Sequence, residues 1–148
     1  MTPGDIQSYL YAHIPLSKAM ALRVDAASPE RVQLSAPLAP NINHRETAFG
    51  GSVSALAILA SWTLLYLRFD AAQLKTRLVI QSNTMRYDAP ATADFSATAE
   101  LREAAQWGRF VQMLRRHGRA RIGVVSILHC GANTIGEFSG EFVAMNIE

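Results

Sequence analysis

A long apolar run occupies the middle of the chain. The stretch GSVSALAILASWTLLYLRF, residues 51–69, is apolar at nearly every position and has no polar stripe at helical spacing. Because a helix that is hydrophobic on all sides is buried rather than amphipathic, this run predicts a central helix enclosed by other elements. A curved β-sheet is the natural element to enclose it.

Apolar and polar positions alternate with a period of two on both sides of this run. Upstream, ALRVDA and RVQLSA flank ASPE, which predicts a hairpin with Pro29 in its turn. Downstream, LVIQSNTMRY is rich in strand-forming residues, and residues 94–101 alternate cleanly. The segments ARIGVVSILHCG and NTIGEFSGEFVAM predict a closing pair of strands, in which Gly123, Gly136 and Gly140 indicate bulges or close backbone approach.

Two shorter segments have helical features. Thr2, Pro3 and Asp5 combine a capping hydroxyl, a first-turn proline and an acid near the positive end of a helix dipole. Further on, apolar residues at i, i+3, i+4 and i+7 predict either a short amphipathic helix or a strand extension; they are Trp107, Phe110, Val111 and Leu114. The predicted fold is therefore α+β, with an antiparallel β-sheet wrapped around one long central α-helix.

The composition is that of a globular protein. The 148 residues predict a single domain, residues 1–148, and 49% of them are hydrophobic and 18% charged. The net charge of +2 is too small to predict a nucleic-acid partner, although six of the twelve Arg lie between residues 102 and 121. Aromatic residues do not alternate with these Arg, so no nucleic-acid binding is expected.

The cysteine and histidine content and the N-terminal residues bear on the cellular compartment and on metal binding. One cysteine, Cys130, excludes an internal disulfide and fits a reducing compartment, and four scattered histidines give no metal-ligand spacing. The N-terminal residues have no secretory-signal pattern. The apolar run from Val53 to Leu67 is about 15 residues and falls short of the roughly 20 that a membrane span needs. We expect a cytoplasmic protein without a metal or a membrane span.

The segment NINHRETAFGGSVSALAILASW, followed by RYDAP and by closing strands that end in GEFVAM, resembles the hotdog-fold thioesterases, and among them the YiiD C-terminal-type family. The resemblance covers almost the whole chain, and NINH..TAFGGS is its most specific part. It implies a hotdog fold and hydrolysis of acyl-coenzyme A or acyl-carrier-protein thioesters, with no cofactor besides the coenzyme A of the substrate. It also implies a homodimer or a dimer of dimers.

Gly50 and Gly51 are candidates for an oxyanion site. Backbone N–H groups at the start of a helix are polarised towards negative charge, and glycine lets an acyl carbonyl approach the backbone closely. The alternative is that this pair only allows the loop to turn into a tightly packed helix.

The catalytic base is the least certain part of the candidate site. Many hotdog enzymes carry an acid about two turns into the central helix, where this chain has Ala57, Ile58 and Leu59. The remaining candidates are Glu46, as general base, and His44, as base or orienting group.

Each loop residue also has a structural alternative. Glu46 could simply complement the dipole of the long helix, and the YiiD-type pattern commonly has glycine at its position. His44 could be an ordinary loop residue. Asn43 could position the water or the thioester carbonyl, or only stabilise a turn.

The resemblance also implies a substrate surface on the third strand and near the arginine cluster. Ser82, Asn83 and Arg86 would lie near the neighbouring subunit of a dimer, with alternation placing Asn83 on one face and Ser82 and Arg86 on the other. Arg115 and Arg116 could bind the phosphates of coenzyme A or the acidic face of a carrier protein, or form a solvated helix end.

Two functions follow from these residues. The first is an acyl-thioester hydrolase that uses an activated water. The second is a non-catalytic acyl-thioester binding module, which the missing helix carboxylate favours.

Overall fold

The computed structural model describes residues 1–147 of the chain, and the order of its elements follows the predicted pattern. Its helices are α1 (Pro3–His13), α2 (Pro15–Ala19), α3 (Gly50–Ala71) and α4 (Gln106–His117). Its strands are β1 (Arg23–Ala27), β2 (Val32–Ala36), β3 (Thr76–Tyr87), β4 (Phe95–Leu101), β5 (Arg119–Cys130) and β6 (Asn133–Asn146). A short 3-10 helix, Ala39–Asn41, follows β2.

The strands form one antiparallel sheet in the order β1-β2-β4-β5-β6-β3. The sheet packs against α3, which contacts β2, β4, β5, β6 and β3. The predicted α+β layout, an antiparallel sheet around a long central helix, is confirmed.

Helix α3 is the core of the molecule. It has 22 residues, about 33 Å of helix, and residues such as Leu56, Leu64 and Leu65 are fully buried. By length and mean hydropathy this helix would also suit a membrane span, but 56% of its most apolar 18-residue window is buried inside the protein. It is the core helix of the fold.

The buried hydroxyl groups beside the core helix are hydrogen-bonded locally. The Ser61 hydroxyl donates to the carbonyl of Ala57 at 2.9 Å and lies 2.8 Å from the hydroxyl of Ser126. Thr63 donates to the carbonyl of Leu59 at 2.7 Å. Buried hydroxyl groups therefore have partners, which avoids the cost of unmet hydrogen bonds.

The N-terminal helix has the predicted cap. The Thr2 hydroxyl accepts from the backbone N–H of Asp5, and the Thr2 backbone N–H donates to the Asp5 carboxylate. This second bond holds the pKa of Asp5 below its ordinary value. On the opposite side of the helix, Ile6 and Leu10 are buried against the core, so the helix is fastened at its start and along one face.

The segment for which the sequence pattern allowed either a helix or a strand extension forms helix α4. The rings of Trp107 and Phe110 stack on Phe69 near the end of α3, at 5.9 and 5.8 Å between centroids. Strand β4 pairs with β5 only as far as Leu101 opposite Val124, and α4 lies beside the remaining start of β5. The helix thus covers a strand edge that would otherwise be open.

The three strand glycines mark close approach, and one of them, Gly136, also borders a bulge. A Cβ at Gly136 would lie 2.4 Å from the carbonyl oxygen of Arg86, and one at Gly140 would lie 2.7 Å from the ring of Phe138. The bulge of β3, at Gln81, lies away from these glycines, whereas the β5–β6 register shifts between Leu128 and His129, where Ile135, next to Gly136, is the extra residue of β6.

We predict that Leu64→Ala lowers the free energy of unfolding by about 3 kcal/mol, because it opens a cavity in the middle of the core helix. Leu16→Ala is the matched control, since Leu16 is 56% exposed, and it should change stability by less than about 0.5 kcal/mol. Urea unfolding followed by circular dichroism measures both. Equal effects would contradict the placement of α3 at the centre of the core.

Candidate active site

The loop before α3 is a small closed turn. Ile42 and Ala48 form an antiparallel bridge, and the backbone N–H of Asn43 donates to the carbonyl of Thr47 at 2.8 Å. The bridge leads directly into Phe49, whose N–H donates to the carbonyl of Asn41 at 2.7 Å. The turn therefore sets the direction in which the helix begins.

Asn43 holds this turn together. Its Oδ1 accepts from the backbone N–H of Arg45 at 2.8 Å and of Thr47 at 3.2 Å, and its Nδ2 donates to the Thr47 hydroxyl at 3.0 Å. These bonds are the turn chemistry that was one of the two interpretations of Asn43. In the single protomer the Asn43 side chain positions the loop.

Asn41 performs a similar task beneath the loop. It is only 3% exposed, and its Nδ2 donates to the carbonyls of Met20 and Pro37 at 3.0 and 2.8 Å. The start of α3 is thereby tied to the end of α2 and to the residues after β2.

His44 and Glu46 lie at the exposed tip of the turn. Neither side chain has a hydrogen-bond or ion-pair partner among residues 1–147. Glu46 has a φ of 62°, in the left-handed region. A side chain there costs about 1–2 kcal/mol, which explains why glycine suits this position.

The first two amides of α3 have no acceptor among the described residues. Phe49 is the N-cap residue and provides no side-chain cap, and its carbonyl accepts from Ser52 and Val53 at 2.9 and 3.1 Å. The N–H groups of Gly50 and Gly51 are thus left for solvent or a ligand. Unpaired amides at the positive end of a long helix are suited to hold a developing negative charge.

Two exposed aromatic rings flank these amides. The Tyr87 hydroxyl donates to the carbonyl of Gly50 at 3.0 Å, and the Phe49 ring covers Gly51 so closely that a Cβ there would lie 2.2 Å from it. Tyr87 is 54% exposed and Phe49 58%. The glycine at position 51 therefore makes room for the ring, and the two rings form apolar walls beside the amides.

A cavity of about 250 Å³ opens beside Gly50. It is lined by residues from the loop, the start of α3, the RYDAP segment and β6: Thr47, Ala48, Gly50, Val53, Tyr87, Asp88, Ala89, Pro90, Ala91 and Ile135. Its walls are mostly apolar, which suits the hydrocarbon part of a ligand.

Asp88 brings a carboxylate to this cavity that the sequence pattern did not single out. Its Oδ1 accepts from Nε of Arg86 at 2.9 Å, and Arg86 also pairs with Glu137 at 3.3 Å. The hydrogen bond that Arg86 donates to Asp88 is the main reason that the pKa of Arg86 is raised above its ordinary value. The RYDAP segment was the available signal, because it places Tyr87 at the end of a strand and Asp88 directly after it.

The candidate residues of β3 divide between its two faces. Ser82 and Arg86 pair opposite Glu141 and Glu137, on one face. Asn83 shares the other face with Tyr87, whose ring reaches Gly50. Of the three, Asn83 is therefore on the face that leads to the unpaired amides.

Arg115 and Arg116 lie far from this site within one protomer. They occupy the last turn of α4, next to the end of β6, where Asn146 Nδ2 donates to the carbonyl of Leu114 at 3.2 Å. Asn146 pairs with Thr76 at the start of β3, whereas Gly50 lies by Tyr87 at its end. The two ends of β3 are roughly 35 Å apart. Within one chain, Arg115 and Arg116 therefore lie far from the amides of Gly50 and Gly51.

Residues 1–147 contain no group of three or more histidine, cysteine, aspartate or glutamate side chains placed to hold a metal ion.

Comparison with known families identifies the chain. Residues 4–146 match the model of the family described as "Putative thioesterase (yiiD_Cterm)". The chain belongs to this family. The resemblance drawn from NINHRETAFGGS and RYDAP is thereby confirmed, and so is its thioesterase-like hotdog fold.

Solved structures agree with the fold of this YiiD-type protein. A protein of unknown function from Chlorobaculum tepidum is 25% identical and superposes with a TM-score of 0.91, covering 98% of this chain and 94% of that one. A "putative thioesterase" from Shewanella oneidensis is 24% identical, with a TM-score of 0.86 and coverage of 97% and 96%. A thioesterase from Haemophilus influenzae is 11% identical, with a TM-score of 0.79 and coverage of 99% and 92%.

The left-handed backbone at Glu46 predicts an unequal response to glycine in the loop. Glu46→Gly should raise the free energy of unfolding by up to about 1 kcal/mol, because glycine adopts this conformation without steric cost. Arg45→Gly, its neighbour without a positive φ, should lower it by about 0.5–1 kcal/mol through unfolded-state entropy. Denaturant unfolding of both variants measures the difference, and equal losses would exclude the left-handed conformation.

Proposed function

We propose that this YiiD-type protein hydrolyses acyl thioesters with an activated water. The single observation that carries the proposal is the pair of unpaired amides, Gly50 and Gly51, at the start of a buried 22-residue helix beside an apolar cavity. Family membership supports the same reaction class. The thioester carbonyl oxygen would accept hydrogen bonds from these amides.

The reaction needs one proton acceptor and no electron transfer. A water oxygen attacks the thioester carbonyl carbon, and the carbonyl oxygen becomes an oxyanion that the Gly50 and Gly51 amides stabilise. The C–S bond then breaks, the carboxylic acid leaves, and the proton taken from water returns to the thiolate sulfur. No metal or redox cofactor is required.

Three side chains are candidates for the proton acceptor. Glu46 and His44 lie on the loop that Asn43 positions, and both are free of intramolecular partners in the described chain. Asp88 lines the cavity with Gly50, although its carboxylate is paired with Arg86. A carboxylate or imidazole at any of these positions could take the proton from water.

The active form would be a cytoplasmic homodimer or a dimer of dimers. Strand β3 is an edge of the sheet, hydrogen-bonded only to β6 within the described residues, and it carries the exposed Val79 and Tyr87. Pairing two such edges antiparallel would bury this surface and close the open side of the cavity.

This pairing would also bring the opposite end of the partner towards the site. In an antiparallel pair the start of one β3 lies beside the end of the other. Arg115 and Arg116 of the partner subunit would then lie on the side of the interface that faces Gly50. The substrate would be an acyl-coenzyme A or an acyl carrier protein, with its acyl chain in the cavity and Ser82, Asn83 and Arg86 along the interface.

A second function, non-catalytic binding of acyl thioesters, rests on a specific observation. Ala57, Ile58 and Leu59, at the helix positions where many hotdog enzymes carry an acid, are apolar and Ala57 and Leu59 are buried. A protein with the amides and the cavity but without a working base would bind thioesters without hydrolysing them.

Gly50 allows a direct test of the amide donors. Gly50→Pro removes one N–H at the first helical position, where proline is tolerated, and Phe49 already has the extended ψ of 132° that a residue before proline adopts. It should lower kcat for thioester hydrolysis by about 10²–10³-fold. Gly50→Ala keeps the N–H, and its Cβ would lie 3.5 Å from the Tyr87 ring, an ordinary contact.

The rate of free-thiol release from a panel of acyl-coenzyme A substrates is measured for both variants. The ratio of the two rates separates the effect of the lost N–H group from that of the added side chain. Equal rates in the two variants, both folded by circular dichroism, would contradict the oxyanion role of this amide.

The base is identified by three single variants. Glu46→Gln and Asp88→Asn each remove a carboxylate with little change in size, and His44→Ala removes the imidazole. The variant that removes the true base should lose about 10²–10⁴-fold in kcat. Substrate affinity of the inactive variant should stay near that of the wild type. Tight binding without turnover by the wild-type protein would instead leave the binding module as the function.

A further inference from the structure

A second cleft lies where α4 covers the open edge of β5, away from the cavity beside Gly50. Its volume is about 290 Å³. It is lined by residues of α4, of the segment before it, of the start of β5 and of β6: Arg102, Gln106, Arg109, Phe110, Met113, Ala120, Arg121, Ile122, Gly123 and Glu141. Three arginines from three different parts of the chain therefore meet around one concave surface.

Gly123 makes room for one of them. A Cβ at this position would lie 2.5 Å from Nη1 of Arg102, so the guanidinium of Arg102 lies directly across strand β5. Its other contacts hold it there: Nη1 pairs with Glu141, and Nη2 donates to the Ser139 hydroxyl at 2.8 Å. Arg102 is thus a fixed cation on the floor of the cleft.

The other two arginines have no carboxylate partner among residues 1–147. Arg109 takes part in none of the ion pairs there, and Arg121 has only a 3.5 Å contact with the side-chain oxygen of Gln81. The single carboxylate of the cleft, Glu141, is already paired with Arg102. The cleft is therefore lined by two cationic side chains without a carboxylate partner among the described residues, and both would attract an anion bound there.

The cleft has an apolar side as well. Phe110 and Ile122 are 3% and 2% exposed and form its base, and Met113, 41% exposed, lies at its rim. Charged walls over an apolar base suit a small organic anion, and a volume of about 290 Å³ lies just below the usual range of ligand pockets.

We propose that the cleft formed by Arg102, Arg109 and Arg121 binds a small phosphate-bearing ligand. A guanidinium group can donate two parallel N–H bonds to phosphate oxygens. The three guanidinium groups of the cleft therefore match the several oxygens of a phosphate better than the two oxygens of a carboxylate. The concave shape favours a small molecule over an extended polyanion, which would engage the exposed Arg115 and Arg116 equally. The proposal does not depend on thioester hydrolysis.

The test measures binding to the full-length protein by isothermal titration calorimetry, without a thioester. The probes are inorganic pyrophosphate, adenosine 3′,5′-bisphosphate and, as the phosphate-free control, adenosine. The double variant Arg109→Gln with Arg121→Gln removes the two unpaired cations. The double variant Lys18→Gln with Arg119→Gln removes the same charge from exposed positions outside the cleft.

We expect saturable binding of both phosphate compounds and none of adenosine. The Arg109/Arg121 variant should weaken binding at least tenfold, and the Lys18/Arg119 variant by less than about twofold. Equal affinity for pyrophosphate and the bisphosphate would assign the site to phosphate alone, whereas tighter binding of the bisphosphate would assign it to a nucleotide.

Two results would overturn the proposal. One is no saturable binding of either phosphate compound by the wild-type protein. The other is an equal loss in both double variants, which would indicate a diffuse positive surface for an extended polyanion. All four exchanged residues are exposed, and thermal unfolding of each variant checks that the fold is retained.

Discussion

The structure depends on burying one helix that is apolar on all sides. Helix α3 cannot present a polar face to water, so the sheet has to pass along most of its length, and β2, β4, β5 and β6 all contact it. The same demand explains the small residues that face it, such as Ala97 and Ala99 of β4, both fully buried. Close packing of a sheet on a helix of this width is possible only where side chains are short.

The two ends of this helix are treated differently. At its C-terminal end the guanidinium of Arg68 lies 4.4 Å from the ring centroid of Trp107 and donates to the carbonyl of Pro29 at 2.6 Å, which joins α4 and the β1–β2 hairpin to the helix. Burial there lowers the pKa of Arg68 from its ordinary value. At the N-terminal end no side chain caps the helix. One end is closed by a cation, and the other leaves amides open for a ligand.

The same glycines therefore serve the fold and the proposed chemistry. Gly51 leaves the space of a side chain to the ring of Phe49, and the amides of Gly50 and Gly51, as the first two of the helix, have no intrahelical acceptor. A helix cap and an oxyanion site are not competing interpretations here, because the absence of a capping side chain is the feature that makes the amides available.

The sequence by itself determined the elements, because each depends on a local period: the all-apolar run predicted α3, alternation predicted β2 and β4, and Thr2 with Asp5 predicted the cap of α1. It left α4 open between helix and strand, since only packing on Phe69 decides that segment. Tertiary structure alone brought Tyr87 and Asp88 to Gly50, placed Arg115 and Arg116 at the opposite end, and gathered Arg102, Arg109 and Arg121 around one cleft. Periodicity describes neighbours along the chain, whereas a site is formed by residues from strands and loops that meet only when the sheet closes around the helix.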